Sequence, residues 1–143
     1  MSEEQNSMIF DAGDFHIELR AKIYKDDPVV NNVAMYVAVE SNGFAGTMEM
    51  DVGSNDLEDF IRDVLIMNKD LKGKARIEEP YGNRCYLELG IDKSGHVTVT
   101  GMLKTLAQKL EFENTFDQTY LADLARKLAQ TDKWQEVIGD QHE

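Results

Sequence analysis

From Phe15 to Ile23 apolar side chains alternate with polar ones: Phe15, Ile17, Leu19, Ala21 and Ile23 share one face, and His16, Glu18, Arg20 and Lys22 lie between them. A period of two with β-branched and aromatic content predicts a half-buried strand. The next stretch, KDDPVVNN, breaks the pattern; Pro28 with its paired Asp and Asn neighbours predicts a loop. VAMYVAVE is apolar almost throughout, as a strand covered on both faces would be. Asn42-Gly43 follows, a pair suited to the positive φ angles of a tight hairpin turn. Alternation then resumes in FAGTMEMDV, with Phe44, Gly46, Met48, Met50 and Val52 on one face.

The period changes in SNDLEDFIRDVLIMNKDLKG. Leu57, Phe60, Ile61, Val64 and Leu65 form the stripe of an amphipathic helix. Ser54 or Asn55 is expected to cap it, with Asn55 and Glu58 as a capping box, and Gly73 to stop it after Leu71. KARIEE reads as a short strand and PYGN as a turn. RCYLELGID places Cys85, Leu87, Leu89 and Ile91 on one face, and DKSG is a second hairpin signal. HVTVTGML alternates through Val97 and Val99, and KLEFENTF through Leu110 and Phe112. Leu121, Leu124, Ala125 and Leu128 give a second helical stripe, and a further helical turn is expected around Trp134 and Ile138. Together these segments predict an α+β fold: an antiparallel β-sheet of about six strands, built from hairpins, with two main α-helices covering it. One domain is expected over residues 1–143, its core at about 8–130, with the acidic N-terminal residues and the tail 131–143 peripheral.

Charge narrows the possible partners. The chain carries 27 acidic against 15 basic residues, a net −12. Such a surface disfavours direct nucleic-acid binding and anionic membranes, and it steers basic proteins toward it. No apolar run is long enough to span a bilayer, and the N-terminus MSEEQNSMIF is unlike a signal peptide, so a cytoplasmic location is expected.

Candidate chemistry is sparse. His16, His96 and His142 have no second ligand at metal spacing and read as surface side chains. The one cysteine, Cys85, sits on the apolar face of a strand and reads as a core residue. Asp26-Asp27 falls at a loop tip, and the adjacent Glu78-Glu79 should point to opposite faces of a strand, so neither pair suits joint acid–base work. No phosphate-binding glycine motif is present. The cluster Asp117-Gln118-Thr119-Tyr120 reads as a helix start, with Asp117, Thr115 or Thr119 as cap, a Thr115/Gln118 capping box, and Phe116 packing near Tyr120 or Leu121. We therefore expect no catalytic, metal or cofactor-binding residues. Asp56, Asp59 and Asp63 line one polar face of the first helix and are candidates for contact with a basic partner.

Four segments, NGFAGTMEMDVGSNDLEDFIRDV, DLKGKARI, CYLELGIDKSGHVTVTGML and LEFENTFDQTYLADLARKL, follow one another in an order that resembles the WapI-type immunity proteins of bacteria. The resemblance covers roughly residues 33–128 and is most specific at Phe112 with Asp117-Gln118-Thr119-Tyr120-Leu121. It implies a non-catalytic protein without a cofactor that binds the toxic C-terminal nuclease domain of a bacterial effector and neutralises it in the cytoplasm. The residues alone leave another reading open, a small cytosolic ligand-binding or dimeric scaffold module, and they do not fix the oligomeric state.

Overall fold

The computed structural model of the chain describes residues 7–24, 33–130 and 135–137. Its strands form two sheets, antiparallel but for one short parallel pairing in the first, in place of the single antiparallel sheet of about six strands that alternation predicts. Alternation identifies strands and their faces; it carries no information about which strands share a sheet.

The first sheet runs in the order β1 (Ser7–Ala12), β2 (Phe15–Tyr24), β3 (Val33–Ser41), β4 (Phe44–Val52). β1 went unread in the sequence because the strand is only six residues long and its inward face is short: Met8, Phe10 and Ala12. Gly13, at φ +67°, turns it into β2. The expected hairpin between β3 and β4 forms, with Asn42 and Gly43 at φ 53° and 88°. β3 alternates in burial, with Val33, Met35, Val37 and Val39 inside and smaller or polar-tipped side chains between them partly exposed. Its outer face is therefore half covered, which departs from the expected burial on both sides. The loop expected at 25–32 lies outside the described residues.

Helix α1 (Ser54–Asp70) follows β4 directly. Its cap is Gly53, in extended conformation, and neither Ser54 nor Asn55. The Asp56 carboxylate accepts a hydrogen bond from the Gly53 amide at 3.1 Å, so in place of the Asn55–Glu58 box there is the acidic half of one, set two residues earlier. Leu71 ends the helix at φ 57°, its amide donating to the Met67 carbonyl, and Gly73 opens the next strand. The buried stripe is Leu57, Phe60, Ile61, Val64 and Met67. Leu65, expected inside, is 39% exposed. At about 100° per residue Leu65 swings to the flank of the stripe, and Met67 falls nearer its centre.

The second sheet runs β5 (Gly73–Glu78), β6 (Tyr86–Ile91), β7 (His96–Thr105), β8 (Gln108–Asp117). A 3-10 turn, Gln118–Tyr120, then leads into α2 (Leu121–Leu128), whose four expected core residues are all buried. Gln135–Val137 forms β9, which pairs in parallel with Lys22–Tyr24 at the end of β2 beyond β1. Trp134 and Ile138, where a helical turn was expected, lie outside the described residues, and the three residues Gln135–Val137 are strand.

Helix α1 packs on β5 and on α2, and α2 packs on β1. The buried apolar side chains of both sheets and both helices form one continuous cluster. Where the sheets meet, Phe10, Phe15, Phe112, Phe116 and Tyr120 interlock, with Phe10 and Phe116 rings 5.5 Å apart. Such ring pairs add to the burial of their area. Two polar contacts cross the same boundary: the Asn114 amide donates to the Ser41 hydroxyl at 3.0 Å, and Glu79 holds Asp51.

Candidate functional site

The outward face of α1 carries the residues that charge patterning singled out, and the structure gives them unequal roles. Asp59 pairs with Arg62 at 2.9 Å, and Asp63 lies 3.8 Å from the same guanidinium. These contacts are exposed and contribute little to stability. Asp56 is turned toward the helix start, where it holds the Gly53 amide. The three acids therefore do not form a uniform strip: Asp59 and Asp63 gather around one arginine, and Asp56 serves the cap.

Two apolar side chains complete this face. Leu65 is 39% and Ile66 46% exposed. Ile66 lies opposite the buried stripe, a position visible in the helical pattern as an apolar residue on the polar side. The face thus combines Glu58, Asp59 and Asp63 with solvent-facing aliphatics, a mixture that suits contact with a protein surface.

Elsewhere the described titratable groups are explained by local structure. Cys85 is fully buried; burial pushes its thiol upward, and its sulfur lies 3.3 Å from the Lys104 amide. His16 and His96 are exposed on the polar faces of their strands, as their positions predict. The hydrogen bond between His16 and Asp11 raises the imidazole above its ordinary value. Asp92 is held below the usual carboxylate range by the His96 amide, in the turn that Gly95 completes. Asp26, Asp27 and His142 lie outside the described residues.

The Glu78-Glu79 pair does split. Glu78 faces outward, where a hydrogen bond from Arg76, with another from Arg84, holds its carboxyl low. Glu79 is only 5% exposed, and its two oxygens accept from the Asp51 amide at 2.9 Å and the Cys85 amide at 3.1 Å. Its role as a clamp between the sheets had no local sequence signal, because its partners lie 28 and 6 residues away.

Asp117 is the cap of the 3-10 turn, accepting from the Thr119 amide at 3.0 Å, which holds its carboxyl low. The Thr115/Gln118 box does not form: Thr115 sits in β8 facing the Thr98 hydroxyl, and Gln118 lies over Gly95. Phe116 does pack against Tyr120, with ring centres 6.0 Å apart. Among the described residues, no group of three or more His, Cys, Asp or Glu side chains is placed to hold a metal ion. No described helix is long and apolar enough to cross a membrane.

These features define an acidic α+β protein with two antiparallel sheets and a charged, partly apolar helix face. The chain belongs to the immunity protein WapI-like family, whose sequence model matches residues 8–134. No curated protein matches it. Among solved structures it is similar to the one described as "Crystal structures of trypanosoma bruciei MRP1/MRP2", with 11% identity and a TM-score of 0.49 over 87% of this chain and 81% of that chain. That likeness is too distant to bear on function.

Proposed function

We propose that this protein is a non-catalytic immunity protein of the bacterial cytoplasm that binds and neutralises the toxic C-terminal nuclease domain of an effector. Family membership carries the reading. The net charge of −12 and the outward face of α1 support its finer parts. A nuclease domain holds a polyanion and so presents basic side chains, which an acidic inhibitor attracts at long range. Glu58, Asp59 and Asp63 would steer the approach, and Leu65 and Ile66 would lose water on contact. Neither step needs a cofactor.

The test is co-purification with the product of the neighbouring gene, followed by association kinetics across a salt series. Reversing Glu58, Asp59 and Asp63 to lysine, with Asp56 left to cap the helix, should slow association at low salt by about tenfold or more and flatten the salt dependence. Leu65→Ser with Ile66→Ser should instead speed dissociation. Association and dissociation unchanged in both variants would move the contact away from α1. Failure to rescue cells from the neighbouring gene product would remove the immunity role itself.

A further inference from the structure

The register of the first sheet lays out its outward face in rows. Ile9, Glu18, Ala38 and Thr47 stand side by side across β1 to β4, and Asp11, His16, Glu40 and Ala45 form the next row. These positions alternate with the buried ones, so their side chains leave the sheet on the side away from the core. Ala38 lies on a central strand, where strand propensity favours a β-branched or aromatic side chain. It carries only a methyl group, and the longer Glu18 and Glu40 rise beside it. The result is a hollow of about 400 Å3 in the sheet face, lined by Ala38, Ala45, Thr47 and the half-exposed Ile9 together with these acids.

The lining is acidic and holds no lysine or arginine. Asp11 is engaged by His16, which leaves Glu18 and Glu40 as the open carboxylates of the rim. Glu18 stands opposite Ala38, and Glu40 lies two residues further along β3, a diagonal pair roughly 7–8 Å apart. Two carboxylates at that separation admit one planar guanidinium between them. The neighbouring row shows the same face holding such a group: Arg20 lies over the Tyr36 ring, 4.1 Å from its centre, with its Nε 3.6 Å from Glu18. Lys127, at the β1 edge, is held by the Ile9 carbonyl and by Asp123.

We propose that this hollow receives an arginine side chain of the partner protein, so that the outer face of the first sheet is a docking surface in addition to α1. The proposal rests on the reading of the partner as a basic domain. The stem of the arginine lies along Ala38 and Ile9, and its guanidinium bonds to Glu18 and Glu40. Charge and shape choose the occupant together. An anionic segment would meet like charges at the rim, and a lysine lacks the flat head that bonds to two carboxylates at once.

The test is the affinity of the full chain for the C-terminal domain of the neighbouring gene product, measured by surface plasmon resonance at several salt concentrations. Ala38→Phe fills the hollow from an outward-facing position and should raise Kd by at least about tenfold. Glu18→Gln with Glu40→Gln keeps the shape and removes the charge; it should also raise Kd by about tenfold and make the salt dependence shallower. Glu111→Gln with Glu113→Gln removes the same charge from exposed positions on β8 and should leave Kd within about twofold. Urea midpoints should show all three variants folded. A parent chain that does not bind the domain would overturn both this proposal and the reading it rests on. A parent that binds, with a folded Ala38→Phe binding as tightly, would overturn the proposal alone. So would equal losses in the Glu18/Glu40 and Glu111/Glu113 variants.

Discussion

Glu79 shows how far one side chain can act in this protein. Its carboxylate satisfies two backbone amides, one in β4 and one beside β6, and so ties the first sheet to the second. Removing it leaves the buried Cys85 amide and the partly buried Asp51 amide without their partner, which costs more than the bonds were worth. Glu79→Ala should lower stability by about 1–3 kcal/mol in denaturant titration, and Glu79→Gln by less, since its amide oxygen still accepts one bond. Equal stability of all three proteins would show that the clamp is idle. Gly101 makes a different demand: a Cβ there would lie 2.4 Å from the Phe112 ring and 2.9 Å from the Tyr86 carbonyl. Gly101→Ala should therefore destabilise by about 1–3 kcal/mol through overpacking, visible as an earlier urea midpoint. At the surface, His16 should titrate above 6.5 in NMR because Asp11 holds its charged form. A raised folded value means that this contact favours the fold below the unfolded pKa and stops doing so as pH rises through the folded one. In Asp11→Asn the midpoint should fall back; an unmoved midpoint would dissociate the two groups.

At the level of elements, what was legible depended on whether the determinant was local. Asn42-Gly43 announces its hairpin because two consecutive positive φ angles are required there. The stripes of α1 and α2 are legible because four or five residues vote together, yet the vote placed Leu65 inside and overlooked Met67 at the far end. β1 had only three inward side chains and was missed, and the division into two sheets was invisible because pairing joins residues far apart in sequence. The acidic helix face was found as a charge pattern, but Arg62 within it and the capping role of Asp56 were not. The start of α2 was half legible: Asp117 is a cap, and Thr115, the alternative cap expected to form a box with Gln118, belongs to a strand. Asp117→Ala should lower the melting temperature at neutral pH. Because the Thr119 amide depresses the folded pKa, the benefit is present above the unfolded value near 3.8 and disappears as pH falls through the folded one. Melting curves of the two proteins should thus converge in acid; a gap that persisted there would assign the effect to something other than the carboxylate.

Taken whole, the molecule depends on a junction that brings β1 and β2 against β8 and the turn before α2. Phe10 on β1 touches Phe15 of β2, Phe116 of β8 and Tyr120 before α2, with ring centres 5.5 to 6.5 Å apart. It is completely buried. Truncating such a ring removes both its transfer free energy and its packing, so Phe10→Ala should cost about 3–5 kcal/mol. That is a large share of a typical stability of roughly 5–15 kcal/mol. The location of the loss is more informative than its size. If the sheets were separate folding units, opening the first would leave the second intact, and amide exchange at Val97 and Val99 would keep its protection. The cluster is continuous across both sheets, so the two should open together. Native-state hydrogen exchange on Phe10→Ala should show Val37 and Val39 in β3 and Val97 and Val99 in β7 losing the same free energy of protection. A loss confined to β3 would mean that the aromatic junction joins two independently stable sheets.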